Sequence, residues 1–269
     1  MTMKIGCLGP QDSYSCLAAK RLAPQAEIIT FSNFPAVVNA LKTGAADEIA
    51  LPIENTIQGG VLQNMDLLAK EDDLFAVKEY ILPVTHRLIL QKGEDLSCVR
   101  RVYSHPQAIG QCSVFLSERL PQAKTVPCDS TAGSVACMRQ AGDACIVGEH
   151  LAVKQKEYDV FPEPIADEKK NFTRFFLVRR GEKELQKPSR KIYFVATLPH
   201  RPGTLYALLG VIERHGINMT RIESRPIKDT PGEYRFFIEI EGDYSAQGTA
   251  RLLEELRVSC RSFRLLGCY

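Results

Sequence analysis

The sequence predicts an α/β protein in two parts: a bilobed α/β region over residues 3–180 and a smaller domain over residues 191–269, joined by a linker at 181–190. Three observations predict it. Strand-like and helix-like patterns alternate through the first part, and the pattern breaks at Pro83 before a second alternating set begins. After a polar, proline-containing stretch, the remainder reads strand, helix, strand, strand, helix, strand, the ferredoxin-like βαββαβ order.

Taken in order, Lys4 to Leu8 reads as a buried strand, and Gly9-Pro10 turns into a helix from Tyr14 to Leu22. Ile28 to Phe31 is a strand, Phe34 to Leu41 a helix closed by Gly44, and Glu48 to Ile53 a third strand. Gly59-Gly60 precedes a helix from Leu62 to Ala69. Such alternation predicts right-handed βαβ units on a mainly parallel sheet. Leu74 to Leu82 and His86 to Gln91 are extended runs that cross between lobes. The second set places strands at Val102-Tyr103, Lys124 to Pro127 and Ala144 to Val147, and helices at Gln107 to Leu120, Ala132 to Gln140 and His150 to Lys156. Thr173 to Arg179 is a strand that returns to the first lobe. The lobes are then 3–80 with 160–180, and 81–159, a periplasmic-binding-protein-like layout whose cleft is the usual ligand site. In the last part, strands at Lys191 to Thr197, Ile217 to Arg225, Tyr234 to Glu241 and Arg261 to Leu266 alternate with helices at Thr204 to His215 and Ala246 to Arg257, with a turn at Lys228 to Gly232.

Hydrophobic residues make up 45% and charged residues 25%, an ordinary globular balance, and the net charge of +2 calls for neither nucleic acid nor a membrane surface. The nine cysteines contain no Cys-x-x-Cys pair and the five histidines no His-x-x-x-His pair, which predicts reduced cysteines acting as small hydrophobes and no metal site. The opening residues lack a signal peptide's apolar core and no apolar run is long enough to span a membrane, so a cytoplasmic location is expected.

Four segments gather polar residues where strands end, and a fifth opens a strand. Gly9 to Ser15 leads into a helix N-terminus able to hold an anion, although Ser13 can equally be a plain cap. Glu54, Asn55 and Thr56 place an acid, an amide and a hydroxyl together, or else satisfy their own loop. Ser104-His105-Pro106-Gln107 contains a histidine suited to proton transfer or to starting a helix. Asp129-Ser130-Thr131 offers two hydroxyls with no base beside them, and no Gly-x-Ser-x-Gly elbow appears. Asn171-Phe172-Thr173-Arg174-Phe175 opens a strand, where Thr173 and Arg174 must face opposite ways if the strand is regular.

In this order, GPQDSYS at 9–15, LPIENTIQGGVLQNMDLL at 51–68, SHPQAIGQC at 104–112, DSTAGSVA at 129–136 and NFTRFFLV at 171–178 resemble the prephenate dehydratase family. RPGTLYALL at 201–209 and INMTRIESRP at 217–226 resemble that family's ACT domain, so the resemblance covers essentially the whole chain. It implies conversion of prephenate to phenylpyruvate, water and carbon dioxide without metal or cofactor, with Thr173 acting on the leaving hydroxyl. It implies substrate binding by Arg174, Asn55, Thr56, Ser104, Gln107, Ser130, Thr131, Asn171 and Phe175. It also implies phenylalanine sensing through Pro202, Gly203, Thr204, Leu205, Asn218, Met219, Glu223 and Ser224, between subunits of a homodimer or a tetramer built from dimers. Arogenate dehydration and a non-catalytic, bilobed anion sensor are the alternatives. Two positions depart from the family pattern, which usually has glycine at Asp12 and phenylalanine at Tyr14; a carboxylate at Asp12 would repel a dianion unless it points outward.

Overall fold

The computed structural model describes residues 2–181, 190–227, 230, 232–242 and 246–269, with main chain only at 246 and 247. Most of the expected linker and part of the expected 228–232 turn lie outside the described residues. In chain order the elements are β1 (Lys4–Leu8), α1 (Tyr14–Leu22), β2 (Glu27–Phe31), α2 (Phe34–Thr43), β3 (Glu48–Asn55), β4 (Gly59–Gly60), α3 (Leu62–Lys70), β5 (Leu74–Pro83) and β6 (His86–Gln91). They continue as β7 (Arg101–Ser104), α4 (Pro106–Gly110), α5 (Ser113–Arg119), β8 (Lys124–Pro127), β9 (Asp143–Gly148), α6 (Glu149–Ala152), β10 (Tyr158–Val160) and β11 (Phe172–Arg180). The last six are β12 (Lys191–Thr197), α7 (Thr204–Arg214), β13 (Asn218–Pro226), β14 (Tyr234–Glu241), α8 (Ala246–Val258) and β15 (Ser262–Cys268).

Two compact units result, Met1–Gly59 with Tyr80–Phe175, and Gly60–Glu79 with Phe176–Tyr269. In the first, β1 pairs in parallel with β2 on one side and β3 on the other. Ile5, Cys7, Ile49, Leu51 and Ile53 are fully buried, as expected for strands covered on both faces. Helix α1 starts because Ser13 accepts from the Cys16 amide, and α2 because Asn33 accepts from the Ala36 amide. Gly44 ends α2 with φ 73°, a conformation that favours glycine.

The same unit holds a second sheet, ordered β10-β6-β9-β7-β8. Its β7 pairs in parallel with β8 and β9, whereas β6 runs antiparallel to β9 and β10. That sheet is therefore mixed, and β10 had no counterpart in the sequence reading. The expected helix Gln107 to Leu120 is two helices broken at Gln111-Cys112, where the Cys112 amide bonds back only three residues to Ile109. The expected helix Ala132 to Gln140 is a 3₁₀ turn over Gly133–Cys137.

In the second unit β15-β12-β14-β13 form the antiparallel sheet of a ferredoxin-like βαββαβ domain. Helices α7 and α8 cover it through Leu208, Ile212, Leu252 and Leu256 against Phe194, Ile238 and Ile240, each worth about 1.5–3 kcal/mol of burial. Strand β13 also clasps α3: Arg225 reaches Asp66 at 2.5 Å and Arg221 reaches the Met65 sulfur at 3.4 Å. All nine cysteines are free and five are buried. Among the described residues, no helix is long and apolar enough to cross a membrane, and no cluster of His, Cys, Asp and Glu could hold a metal ion.

Candidate active site

Within the first unit a cavity of about 230 Å³ opens where β3, β6, α4 and β11 end or begin. Asn55, Gln107, Ser130, Thr131, Asn171 and Thr173 all line it. The structure thus brings together six of the expected residues, from four separate segments. Thr56, Ser104, Arg174 and Phe175 do not line it.

Each of those four has a physical reason. Thr56 fastens strand to strand, its amide donating to the Phe172 carbonyl and its hydroxyl accepting from the Phe172 amide, both at 3.0 Å. Ser104 is fully buried and donates to the Ile146 carbonyl at 2.8 Å. In β11 the side chains alternate, so with Thr173 at the cavity its neighbour Arg174 turns the other way. Arg174 lies 3.7 Å from Glu54 instead. Phe175 is a core residue.

Asn55 organises the floor of the cavity. Its Oδ1 accepts from the amides of Ile57 and Gln58, both at 3.1 Å. Main-chain donors thereby fix which end of the amide is oxygen. The Nδ2 end donates to Asn171 Oδ1 at 2.8 Å and lies 3.0 Å from Thr173 Oγ1 and 3.1 Å from the Phe172 carbonyl. Asn171 passes the polarity on, donating from Nδ2 to Gln111 Oε1 at 3.2 Å. That same oxygen is 2.9 Å from Nε2 of His86.

His86 and Gln111 both line the cavity, and the sequence reading named neither as a site residue. Gln111 had a signal: it sits four residues after Gln107 in the SHPQAIGQC stretch. His86 had none: it opens the strand HRLILQ between Thr85 and Arg87, outside every segment singled out in the sequence. It is only 3% exposed, and burial holds its imidazole below the ordinary histidine range. His86 Nδ1 and Gln111 Nε2 are buried without a hydrogen-bond partner, each costing about 1–3 kcal/mol.

His105, the histidine first suited to proton transfer, accepts from the Gln107 amide and caps α4. Ser130 accepts from the Gly133 amide in the following turn. On the facing side Ser13 and Tyr14 begin α1, whose first-turn amides are left without intrahelical acceptors. A wider cavity of about 790 Å³ shares Gly9, Asp129 and Ser130 but includes neither Asn55 nor Thr173.

The two departures from the family pattern are absorbed locally. Asp12, at φ 63°, binds Lys154 at 2.7 Å, which holds its carboxyl below the usual range, and it does not line the cavity. The Tyr14 hydroxyl donates to the Thr85 carbonyl at 2.7 Å, and burial pushes its phenol up. Replacing Asp12 with glycine is therefore expected to leave KM within about twofold, since an exposed ion pair carries little energy. A tenfold fall in KM in steady-state kinetics would show that this carboxylate reaches the substrate.

Comparison with known proteins decides the family. Residues 5–183 match the prephenate dehydratase family model, and residues 193–258 match the ACT domain. The chain belongs to the prephenate dehydratase family. It is 34% identical to the prephenate dehydratase of Amycolatopsis methanolica, over 99% of this chain and 88% of that protein. Solved structures are similar as well. The Arthrobacter aurescens prephenate dehydratase in complex with L-Phe superposes with a TM-score of 0.87 at 32% identity, covering 99% of this chain and 89% of that one. GqqA, described as a novel type of quorum quenching acylase, superposes with a TM-score of 0.84 at 28% identity, covering 99% and 96%.

Proposed function

We propose that this chain is a carbon–oxygen lyase that converts prephenate to phenylpyruvate in the cytoplasm, and that phenylalanine bound to its ACT domain lowers the rate. The observation that carries the catalytic assignment is the hydrogen bond from Asn55 Nδ2 to Thr173 Oγ1. With its oxygen engaged by a donor, the Thr173 hydroxyl is left to donate its own proton into the cavity.

That polarity suits the reaction. As the bond from the ring to the departing carboxylate breaks, its electrons enter the ring and expel the ring hydroxyl. The products are an aromatic ring, carbon dioxide and, with one proton taken up, water. A donor beside the leaving oxygen strengthens its hydrogen bond as charge develops there. Among the described residues lining the cavity there is no lysine or arginine. Neutral donors hold a departing carboxylate loosely, which favours a transition state in which its charge disperses.

Phenylalanine sensing is read from the second unit. Pro202, Thr204 and Leu205 line a depression of about 350 Å³, while Asn218 and Met219 line a separate one of about 470 Å³. Gly203, at φ 84°, starts α7 beside the first; Glu223 and Ser224 lie on β13 and line neither. A ligand touching both sets therefore calls for two copies of the chain, and we propose a homodimer or a tetramer built from dimers. The free thiols suit a reducing compartment.

Mixing the purified protein with prephenate and following phenylpyruvate absorbance tests the activity; no product ends the proposal. Titrating phenylalanine into that assay is expected to lower turnover at micromolar to millimolar levels, with equal reciprocal coupling in ligand binding. A flat response refutes the regulatory half.

A further inference from the structure

The reading of the cavity as the prephenate site leaves His86 without a role, yet the structure fixes its chemistry closely. The amides of Ile57 and Gln58 dictate that Asn55 presents Nδ2 to Asn171. Asn171 must then present Nδ2 to Gln111, so Gln111 presents Oε1. An oxygen that accepts from Asn171 can only accept from His86 as well, which requires the proton on His86 Nε2. The neutral ring therefore has a bare Nδ1, in agreement with its lack of a partner. The other end of Gln111, Nε2, carries two protons and no acceptor. It belongs to a residue lining a cavity that, among the described residues, offers a dianion no lysine or arginine.

We propose that His86 is a positioning residue: its Nε2–H pins Gln111 Oε1 against Asn171, so that Gln111 Nε2 is held ready to donate to a substrate carboxylate. Without that pin the carbamoyl group can rotate, and half of its rotations present an oxygen to the anion. The Tyr14 ring, 6.2 Å from the imidazole and nearly perpendicular to it, packs beside the histidine without bonding to it. The contact that matters is thus the single one to Gln111.

The inference rests on the proposed prephenate site, and the test separates the two. Glutamine places an amide nitrogen where the histidine has Nε2, whereas asparagine places one where it has Nδ1. His86→Gln is expected to stay within about threefold of wild-type KM. His86→Asn and His86→Leu are expected to raise KM about 10- to 100-fold, the range for a lost hydrogen bond to a charged group, with kcat changed far less. Nitrogen-15 spectra of labelled wild-type protein at neutral pH are expected to show a neutral ring protonated at Nε2. The asparagine and glutamine variants keep a polar side chain of similar size, so their contrast stands even where leucine prevents folding. A wild type that makes no phenylpyruvate overturns the reading of the cavity. An active wild type with the glutamine and asparagine variants equally impaired, or with a ring protonated at Nδ1, overturns the role of His86 alone.

Discussion

Replacing Thr173 with valine is expected to lower kcat by about 10²- to 10⁴-fold while KM moves little. Valine keeps the branched shape and the β11 backbone, so the change removes one hydroxyl and nothing else of size. That hydroxyl accepts from Asn55 at 3.0 Å and is left to donate towards the cavity. The donation matters when negative charge builds on the departing oxygen, not when the substrate merely sits in place, and this puts the loss in kcat. The fall corresponds to about 3–5 kcal/mol of transition-state stabilisation. Serine at this position keeps the hydroxyl but loses the methyl that restricts its rotation, and should stay within about tenfold of the parent. Steady-state kinetics beside thermal melting would check both variants. A folded valine variant with undiminished kcat removes Thr173 from the chemistry.

The sequence made Thr173 visible through the company it keeps, but not its orientation. Alternation along an extended strand showed that Thr173 and Arg174 cannot share a face, without saying which of them meets the cavity. Tertiary packing decides that: Arg174 lies towards Glu54, and Phe175 goes into the core. The family resemblance implies substrate binding by Ser104, which is also conspicuous as a polar residue at a strand end. Its hydroxyl instead satisfies the Ile146 carbonyl of the neighbouring strand, a demand that only the pairing of β7 with β9 creates.

Elements with strong local signals were legible almost to the residue, as with β1, α1 and the α7 helix after Gly203. Those set by distant partners were not. The break at Gln111 carries no proline, and Gln111 is held there by His86, twenty-five positions earlier. The amide chain itself joins Asn55 to residues more than a hundred positions away. No periodicity within one segment reports such contacts, which explains why the polar residues were found as separate groups and their order of donation was not.

That order of donation makes Asn55→Asp the sharper probe of the site. Aspartate differs from asparagine by one group, and it still accepts from the Ile57 and Gln58 amides. Its second oxygen, however, falls where Nδ2 now faces three acceptors: Asn171 Oδ1, the Phe172 carbonyl and Thr173 Oγ1. Thr173 is the one of these that can reverse, by donating its proton to the new carboxylate. The hydroxyl then points at that carboxylate rather than into the cavity, and a negative charge enters the cavity proposed to hold a dianion. Both effects act together, so kcat/KM is expected to fall at least about 10³-fold, beyond the loss from removing a single hydrogen bond. Stability should also drop, by about 1–3 kcal/mol, because Asn171 Oδ1 loses its donor and faces the new carboxylate, whereas the Phe172 carbonyl keeps the Thr56 amide. Asn55→Ala leaves Thr173 free to donate and adds no charge, so its kcat is expected to exceed that of the aspartate variant. Comparing the two by turnover, with melting temperature to confirm folding, separates polarity from packing. Equal kcat in the two variants would mean that Asn55 supports the fold and does not orient the catalytic hydroxyl.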